Sequence, residues 1–419
     1  MEPSGSERLI RPGLERVVAL LDALGGPQRS LRHVVHVAGT NGKGSVLAFL
    51  EAILKAAGIP SGVYTSPHLH RFNERIRVAG APIDDAALDR YLAAVRRADP
   101  NELATYFEQA TAAALLHFAD WAALRPGGAP APVLLETGLG GRLDATNVFP
   151  APLLTAITPI ALDHADYLGQ TIEAVAAEKA GILKAGVTAV VHPGSLAARN
   201  VIAAQAEAAG APLWLAQRDY RYDMAFEAHS WRYEDAFGQL VLPRPGLVGQ
   251  HQMHNAAQAV AMARLLRANQ GWRLPNEAVC EAVAQAQWPG RLQRIATEPE
   301  VWLDGAHNAH AAQAAAAFFA ETPGRKPTLL FAVMSDKDLP SIIDAWRDGV
   351  EAVVCVGLDD ARALDPHRCA NTWRAAGVPA HEAPDIPAGL ALARDLTGHG
   401  GRVAATGSLY LVGALLSAL

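Results

Sequence analysis

Short apolar runs alternate along most of this chain with stretches whose apolar positions recur every three to four residues, the pattern of buried strands separated by helices. Val34 to Ala38, Val133 to Leu135, Leu153 to Ile157 and Thr188 to Val191 are almost continuously apolar, which predicts strands covered on both faces and therefore a mostly parallel sheet. Helical spacing covers Leu14 to Leu24, Ser45 to Ala57, Asp84 to Arg97, Leu103 to Trp121, Ile172 to Leu183, Leu196 to Ala209, Met253 to Ala268 and Glu277 to Gln285. SGVYTSPHL reads as a short strand running into a loop, and RFNERIRVAG alternates as a strand or hairpin arm would. From Tyr220 to Val248 polar and aromatic residues alternate, which predicts a small antiparallel excursion. Pro289 and Gly290 then interrupt the pattern in QWPGRLQRI, and strand-helix alternation restarts with VWLDGA, TLLFAVM, AVVCVG and RVAATG. The expectation is an α/β protein with one mostly parallel domain over residues 1–288 and a smaller, doubly wound, Rossmann-like domain over residues 289–419.

Length supports two cores, since 419 residues exceed what one core usually spans. A hydrophobic fraction of 50% with 19% charged residues fits compact soluble domains and argues against extended disorder. The net charge of −6 and the lack of a Lys/Arg-rich run give no electrostatic footprint for nucleic acid. Cys280, Cys355 and Cys369 show no CxxC spacing, so neither a disulfide framework nor a structural zinc site is expected. MEPSGSERLIRPGLE lacks the apolar core of a leader, and no run approaches the ~18 apolar residues of a span, so a cytoplasmic location away from membranes is expected.

The most informative stretch is VVHVAGTNGKGSVLA. A strand breaks at Gly39-Thr40-Asn41-Gly42-Lys43-Gly44-Ser45 and a helix follows, the context in which backbone N–H groups and a helix N-terminus cradle phosphate. Lys43 would reach the terminal phosphates of a nucleotide. The match to GxxxxGK[ST] is partial: Val37 replaces the first glycine, and Gly44 stands where a hydroxyl usually meets Mg²⁺. Either Ser45 substitutes, or the metal is held by groups from elsewhere.

Strand ends supply such groups, because parallel sheets collect ligands at their carboxyl edge. Ser66, Glu136 and His164 follow three of the apolar runs and are expected to converge on the face carrying Lys43. Each has a bland alternative as a turn former, a strand-end charge or a partly buried polar group; their common placement favours a metal-binding set. Lys179 lies in a small, apolar helix, AAEKAGILKAG, where a solvated lysine is the alternative. His251 and His254 stand at i and i+3 near a helix start, a spacing that suits metal but equally a helix end, with no third ligand nearby. Asn255 can pair with a nucleobase, Arg291 in PGR can reach phosphate, Asp304 and His307 end the first strand of the second domain, and Ser408 ends its last recognisable one.

Taken in order, GTNGKGS, TSPHL with FNERIRV, ETGLGGRLDATN, ITPIALDH with YLG, AAEKAGI, HNAAQA, PGRLQ, LDGAHN and TGSLY resemble the bacterial folylpolyglutamate synthase and dihydrofolate synthase family, within the Mur-ligase-like superfamily. The resemblance covers nearly the whole chain. It implies an ATP-dependent ligase that joins L-glutamate to a pteridine-linked carboxylate through an acyl phosphate; a monomer that acts on both dihydropteroate and reduced folates is the further expectation. By position it gives the ATP phosphates to Lys43 and its loop; Mg²⁺, with two ions expected, to Ser66, Glu136 and His164; and nucleotide contacts to Asn255, Arg291 and Asp304. It makes Lys179 a carbamylated lysine serving a second metal, and associates Asp304, His307 and Ser408 with ATP and incoming glutamate. Lys43, His164, Lys179, Asp304 and His307 then carry the catalytic roles. For the acceptor, Phe107 could stack on a pterin and Asp144 accept its ring donors; the alternative is that Phe107 is helix core and Asp144 caps a turn. Another Mur-type amino-acid ligase, or a nucleotide-binding regulatory protein, are the competing readings.

Overall fold

The computed structural model describes residues 11–127, 129–223 and 230–418; the first ten residues of the N-terminal stretch read above and residues 224–229 of the polar-aromatic stretch lie outside them. Packing divides the chain into two compact units. One comprises the chain up to Ala161 with Leu168–Gly246 and Met253–Gln287, the other Trp288–Leu419 with Leu162–Tyr167 and Leu247–Gln252. The two short segments fall within the stretch that the sequence assigns to the first domain, yet they pack with the second. Side chains explain this: Asp163 pairs with Lys337, and Gln250 donates to Glu321.

The first unit is built on an eight-stranded sheet of β1 (Val34–Ala38), β2 (Gly62–Tyr64), β3 (Ile76–Val78), β4 (Ala81–Pro82), β5 (Val133–Glu136), β6 (Leu154–Ile157), β7 (Ala189–Val191) and β8 (Leu213–Leu215). Their order is β4-β3-β2-β5-β1-β6-β7-β8, parallel except for the β3 and β4 edge. β1 lies inside the sheet and is buried at all five positions, as its apolar run predicts. Register aligns the strand ends: Val37 lies beside Glu136, Ala38 beside Ile157, and Tyr64 beside Leu135. The loops leaving β1, β2, β5 and β6 therefore emerge along one edge, which is what assembles the site.

Several boundaries move for local reasons. The helix after β1 spans Lys43–Ala56 rather than starting at Ser45, because Gly42 turns at φ +92° and its carbonyl already accepts from Val46 N. RFNERIRVAG is not a continuous strand: Glu74 accepts the N–H groups of Leu69, His70 and Arg71, folding Phe72–Arg75 into a 3₁₀ turn before β3 begins. The long helix starts at Tyr106, where Thr105 and Glu108 cap each other, so Leu103 stays outside it. The polar-aromatic stretch forms the antiparallel β9 (Tyr220–Asp223), β10 (Ser230–Asp235) and β11 (Gly238–Pro243), burying Tyr220, Tyr222, Trp231, Tyr233, Leu240 and Leu242 at period two.

In the second unit β12 (Gln293–Thr297), β13 (Glu300–Leu303), β14 (Thr328–Phe331), β15 (Ala352–Cys355), β16 (Ala380–Glu382) and β17 (Arg402–Thr406) lie in the order β12-β13-β17-β14-β15-β16. All pairs are parallel except β12 with β13. The stretch read as an interruption thus contains an edge strand, whose shifted register between Arg294 and Ala296 and largely polar residues hide it from an apolar pattern. Trp346, Trp373 and Phe331 are fully buried in this unit's core.

Candidate active site

The phosphate-loop stretch is shaped by close approach. Gly39 turns at φ +151°, and a Cβ there would lie 1.8 Å from Thr158 Oγ1; at Gly42 it would lie 2.5 Å from Asn255 Oδ1. Only glycine lets the loop touch both walls. Pro159 O accepts Thr40 N and, more distantly, Asn41 N, while the Thr40 hydroxyl donates to Ala161 O and accepts Ala161 N. Gly44 and Ser45 are buried in the first turn of the following helix. Lys43 curls back over the loop, with Nζ 3.1 Å from Gly39 O, 3.3 Å from Thr40 O and 3.8 Å from Glu136 Oε1.

Glu136, buried at the end of β5, also accepts the backbone N–H of Ser66 at 3.2 Å. Lys179 is buried on the helix Ile172–Ala180 and donates to Gly39 O at 2.8 Å. One carbonyl therefore receives both lysines. The loop after β5 locks that helix end in place: a Cβ on Gly141 would lie 2.7 Å from Lys179 O, one on Gly181 would lie 2.3 Å from Arg142 Cβ, and Asn147 Nδ2 donates to Gly181 O. The first unit thus brings Lys43, Ser66, Glu136, Lys179 and Asn255 to one loop cluster.

Phe107 is partly buried, its ring against Gly138, where a Cβ would lie 2.5 Å from Cζ, and 6.0 Å from the ring of Tyr64. Asp144 is turned into its own loop: Oδ2 accepts Leu139 N at 2.8 Å, and Oδ1 accepts the N–H and hydroxyl of Thr146. Burial raises its carboxyl, and these hydrogen bonds oppose the rise. The turn-capping alternative describes Asp144, which braces the loop beneath Phe107. Thr146 also meets the fully buried His36 at 2.8 Å, whose imidazole is pushed down to about 3 by burial and then by the charge of Lys184.

The remaining residues belong to the second unit. Asp304 is buried and accepts Leu292 N and Ala306 N, both at 2.9 Å; burial raises its carboxyl, and the Arg291 charge opposes this. Arg291 lies against Gly305, where a Cβ would come within 2.4 Å of Nη1. Ser408 is buried and caps the helix Leu409–Ser417. His307 Nδ1 contacts Gly305 O at 2.8 Å, and its Nε2 lies 3.5 Å from Asp163 Oδ2. His164 lies here beside Asp163, with Lys337 and His307 also contributing to its electrostatic surroundings. Burial pushes its imidazole down to about 4 against the pull of Asp163. Burial would raise the Asp163 carboxyl, but the hydrogen bond from His307 and the charges of His164, His307 and Lys337 hold it well below the carboxylate range. His254 Nδ1 bonds the Tyr222 hydroxyl at 2.8 Å, and His251 bonds Gln252. Among the described residues no three His, Cys, Asp or Glu side chains group as ligands of one ion, and no helix is long and apolar enough to cross a membrane.

A model of the family described as Mur ligase, glutamate ligase domain, matches residues 290–409. A dihydrofolate synthase/folylpolyglutamate synthase of Bacillus subtilis (strain 168) is 37% identical over 372 residues, 84% of this chain and 83% of that protein. The chain belongs to the dihydrofolate synthase/folylpolyglutamate synthase family. Among solved structures, E. coli FolC in complex with DHPP and ADP matches with a TM-score of 0.88 and 32% identity, covering 98% of this chain and 94% of that one. A bifunctional folylpolyglutamate synthase/dihydrofolate synthase with Mn, AMPPNP and L-glutamate bound matches with a TM-score of 0.85 and 32% identity over 98% and 95% of the two chains. As a member of the synthase family this chain is an ATP-dependent carboxylate–amine ligase.

Two residues of this synthase-family chain receive no role in the sequence reading although both follow apolar runs. Asp163 directly precedes His164 in LDH, and Lys337 follows β14 in MSDKD. The position at a strand's carboxyl end was the available signal. Their 2.7 Å pairing across 174 positions was not.

Proposed function

We propose that this chain adds L-glutamate to the carboxyl of dihydropteroate and to that of already glutamylated reduced folates, with ATP as the energy source. A carboxylate is a poor electrophile, so its oxygen first attacks the terminal phosphorus of ATP and ADP leaves; the glutamate amine then attacks the acyl carbon and phosphate departs. The observation that carries this reading is the cluster of Lys43, Glu136, Ser66 and Lys179 around one glycine-rich loop. Lys43 neutralises charge developing on the transferred phosphoryl group, and the loop fixes its position.

The donor set suits a hard divalent cation. The Glu136 carboxylate and Ser66 hydroxyl offer oxygen, and the depressed imidazole of His164 stays neutral and available as a ligand at pH 7. We assign each of these residues a part in holding divalent cation, with Mg²⁺ supplying charge stabilisation when bound. We assign the buried Lys179 a carbamate, formed by its amine with carbon dioxide, which would serve a second cation. Asn255, Arg291 and Asp304 are assigned to the nucleotide side, Asp304 through the loop that it braces, and His307 and Ser408 to glutamate. Phe107 is assigned to the pterin, with Asp144 holding the loop beneath it. Residues 1–288 then handle nucleotide and folate, and residues 289–419 handle glutamate, in a cytoplasmic monomer.

The test is a mass-spectrometric product assay with dihydropteroate or tetrahydrofolate, glutamate and Mg-ATP. The expected result is one added glutamate per ATP consumed, dependent on both acceptor and glutamate. ATP hydrolysis indifferent to both would support a nucleotide switch instead, and no product from dihydropteroate would remove the first of the two activities.

A further inference from the structure

We propose that Lys337 is a positioning residue for the ligation, holding through Asp163 the backbone turn that presents His164; this rests on the assignment of His164 to the divalent cation. Several donors meet on the Asp163 carboxylate. Lys337 Nζ at 2.7 Å and the backbone N–H of His164 at 2.9 Å share Oδ1, while Asn308 Nδ2 at 3.0 Å donates to Oδ2. His307 Nε2 faces Oδ2 from 3.5 Å. The Lys337 and Asp163 side chains are 9% and 8% exposed, so the pair is shielded from solvent.

Three features make this more than a structural ion pair. His164 stands at φ +51°, a left-handed conformation that a residue with a Cβ holds only when its surroundings enforce it, and the bond from its N–H to Asp163 is such an enforcement. Lys337 sits on a rigid mount: its N–H donates to Met334 O, its carbonyl accepts Leu339 N, and Asp338 caps the helix Leu339–Trp346. A buried Lys–Asp pair is also a poor device for stability alone, since replacing both partners by neutral groups is often free of cost. What the pair provides is orientation. The carboxylate cannot rotate without losing Lys337 or Asn308, and while it is fixed the His164 backbone is fixed.

The experiment titrates Mn²⁺ into the full-length, ADP-saturated protein, reading free metal by electron paramagnetic resonance beside urea unfolding. His164→Ala comes first and should weaken Mn²⁺ binding at least tenfold; if it does not, the cation assignment itself fails. With that effect in hand, Lys337→Met should weaken Mn²⁺ binding about tenfold, the usual scale for an outer partner of a metal ligand, and Lys337→Arg should recover most of the loss. Lys337→Met leaves a buried carboxylate without its ammonium partner and can fail to fold, so the neutral double variant Asp163→Asn/Lys337→Met decides. It should unfold near the wild-type midpoint yet bind Mn²⁺ about tenfold more weakly. Wild-type Mn²⁺ affinity in the folded Lys337→Met protein or in the double variant would overturn the proposal and leave the His164 assignment standing.

Discussion

Gly39→Ala tests the phosphate loop at its tightest point. The new methyl would have to sit 1.8 Å from Thr158 Oγ1 and 3.0 Å from Thr158 N, and Thr158 is a β-branched, fully buried residue with nowhere to swing. Overpacking of this kind costs about 1–3 kcal/mol. The backbone at φ +151° adds about 1–3 kcal/mol for a residue with a Cβ. Together the loss is about 2–6 kcal/mol, a large share of the ~5–15 kcal/mol that holds a typical domain folded. Displacing the Gly39 carbonyl also disturbs the acceptor shared by Lys43 and Lys179, so ADP binding should weaken by roughly ten- to a hundredfold, the scale of one charged hydrogen bond. Urea midpoints and calorimetric ADP titrations on Gly39→Ala, Thr158→Ala and the double variant separate the two costs. Thr158→Ala should return the overpacking share and leave the backbone share. Additive losses in the cycle, or a wild-type midpoint and ADP affinity in Gly39→Ala, would refute the reasoning.

Lys43→Ala should lower kcat by on the order of a hundredfold or more with the urea midpoint unchanged, because its partly exposed side chain contributes charge rather than packing; near-normal turnover at saturating ATP would rule out the phosphate role. Lys179→Ala should abolish turnover, and intact-mass measurement under gentle conditions with labelled carbon dioxide should find the adduct on the wild-type protein and not on the variant. Phe107→Ala should reduce dihydropteroate turnover far more than extension of tetrahydrofolate; equal losses would leave Phe107 a packing residue only. His36 is held neutral in the fold down to about pH 3, whereas the unfolded chain protonates it near 6.5. The unfolded state therefore binds the extra proton in that window, and stability should fall with falling pH by up to about 1.4 kcal/mol per unit. His36→Gln should flatten that acid limb in urea midpoints measured from pH 7 to 5, and an unchanged slope would show that other groups set it.

The strand-helix alternation was legible because parallel strands buried on both faces must be largely apolar, and β1 and β5 are apolar apart from His36 and Glu136. The neighbourhood of Lys43, Ser66 and Glu136 followed from the same physics, since register sets adjacent parallel strands to end together. What stayed hidden depends on partners rather than pattern. β12 is an edge strand with a shifted register, so its residues carry no apolar signature. Glu74 bends FNERIRV by accepting three backbone N–H groups, an effect that alternation does not register. The ties that run from Asp163, beside His164, to Lys337 and Asn308 likewise leave no mark in the apolar pattern. The capping pair Thr105 and Glu108 was readable from its spacing, and marks the start of the helix better than the apolar Leu103 did.

The path of the chain limits how this protein can be taken apart. It passes between the units after Ala161, Tyr167, Gly246, Gln252 and Gln287. No single cut yields two whole pieces. A fragment beginning at Trp288 carries Lys337 and Asn308 without Asp163, leaving the ammonium group with Asp336 at 3.7 Å in place of its 2.7 Å partner, and it lacks Gln250 for Glu321. Grafting the C-terminal module onto a different nucleotide-binding partner, by recombination or by engineering, would have to bring along two short loops encoded more than thirty codons upstream, so the gene is less modular than its two sheets suggest.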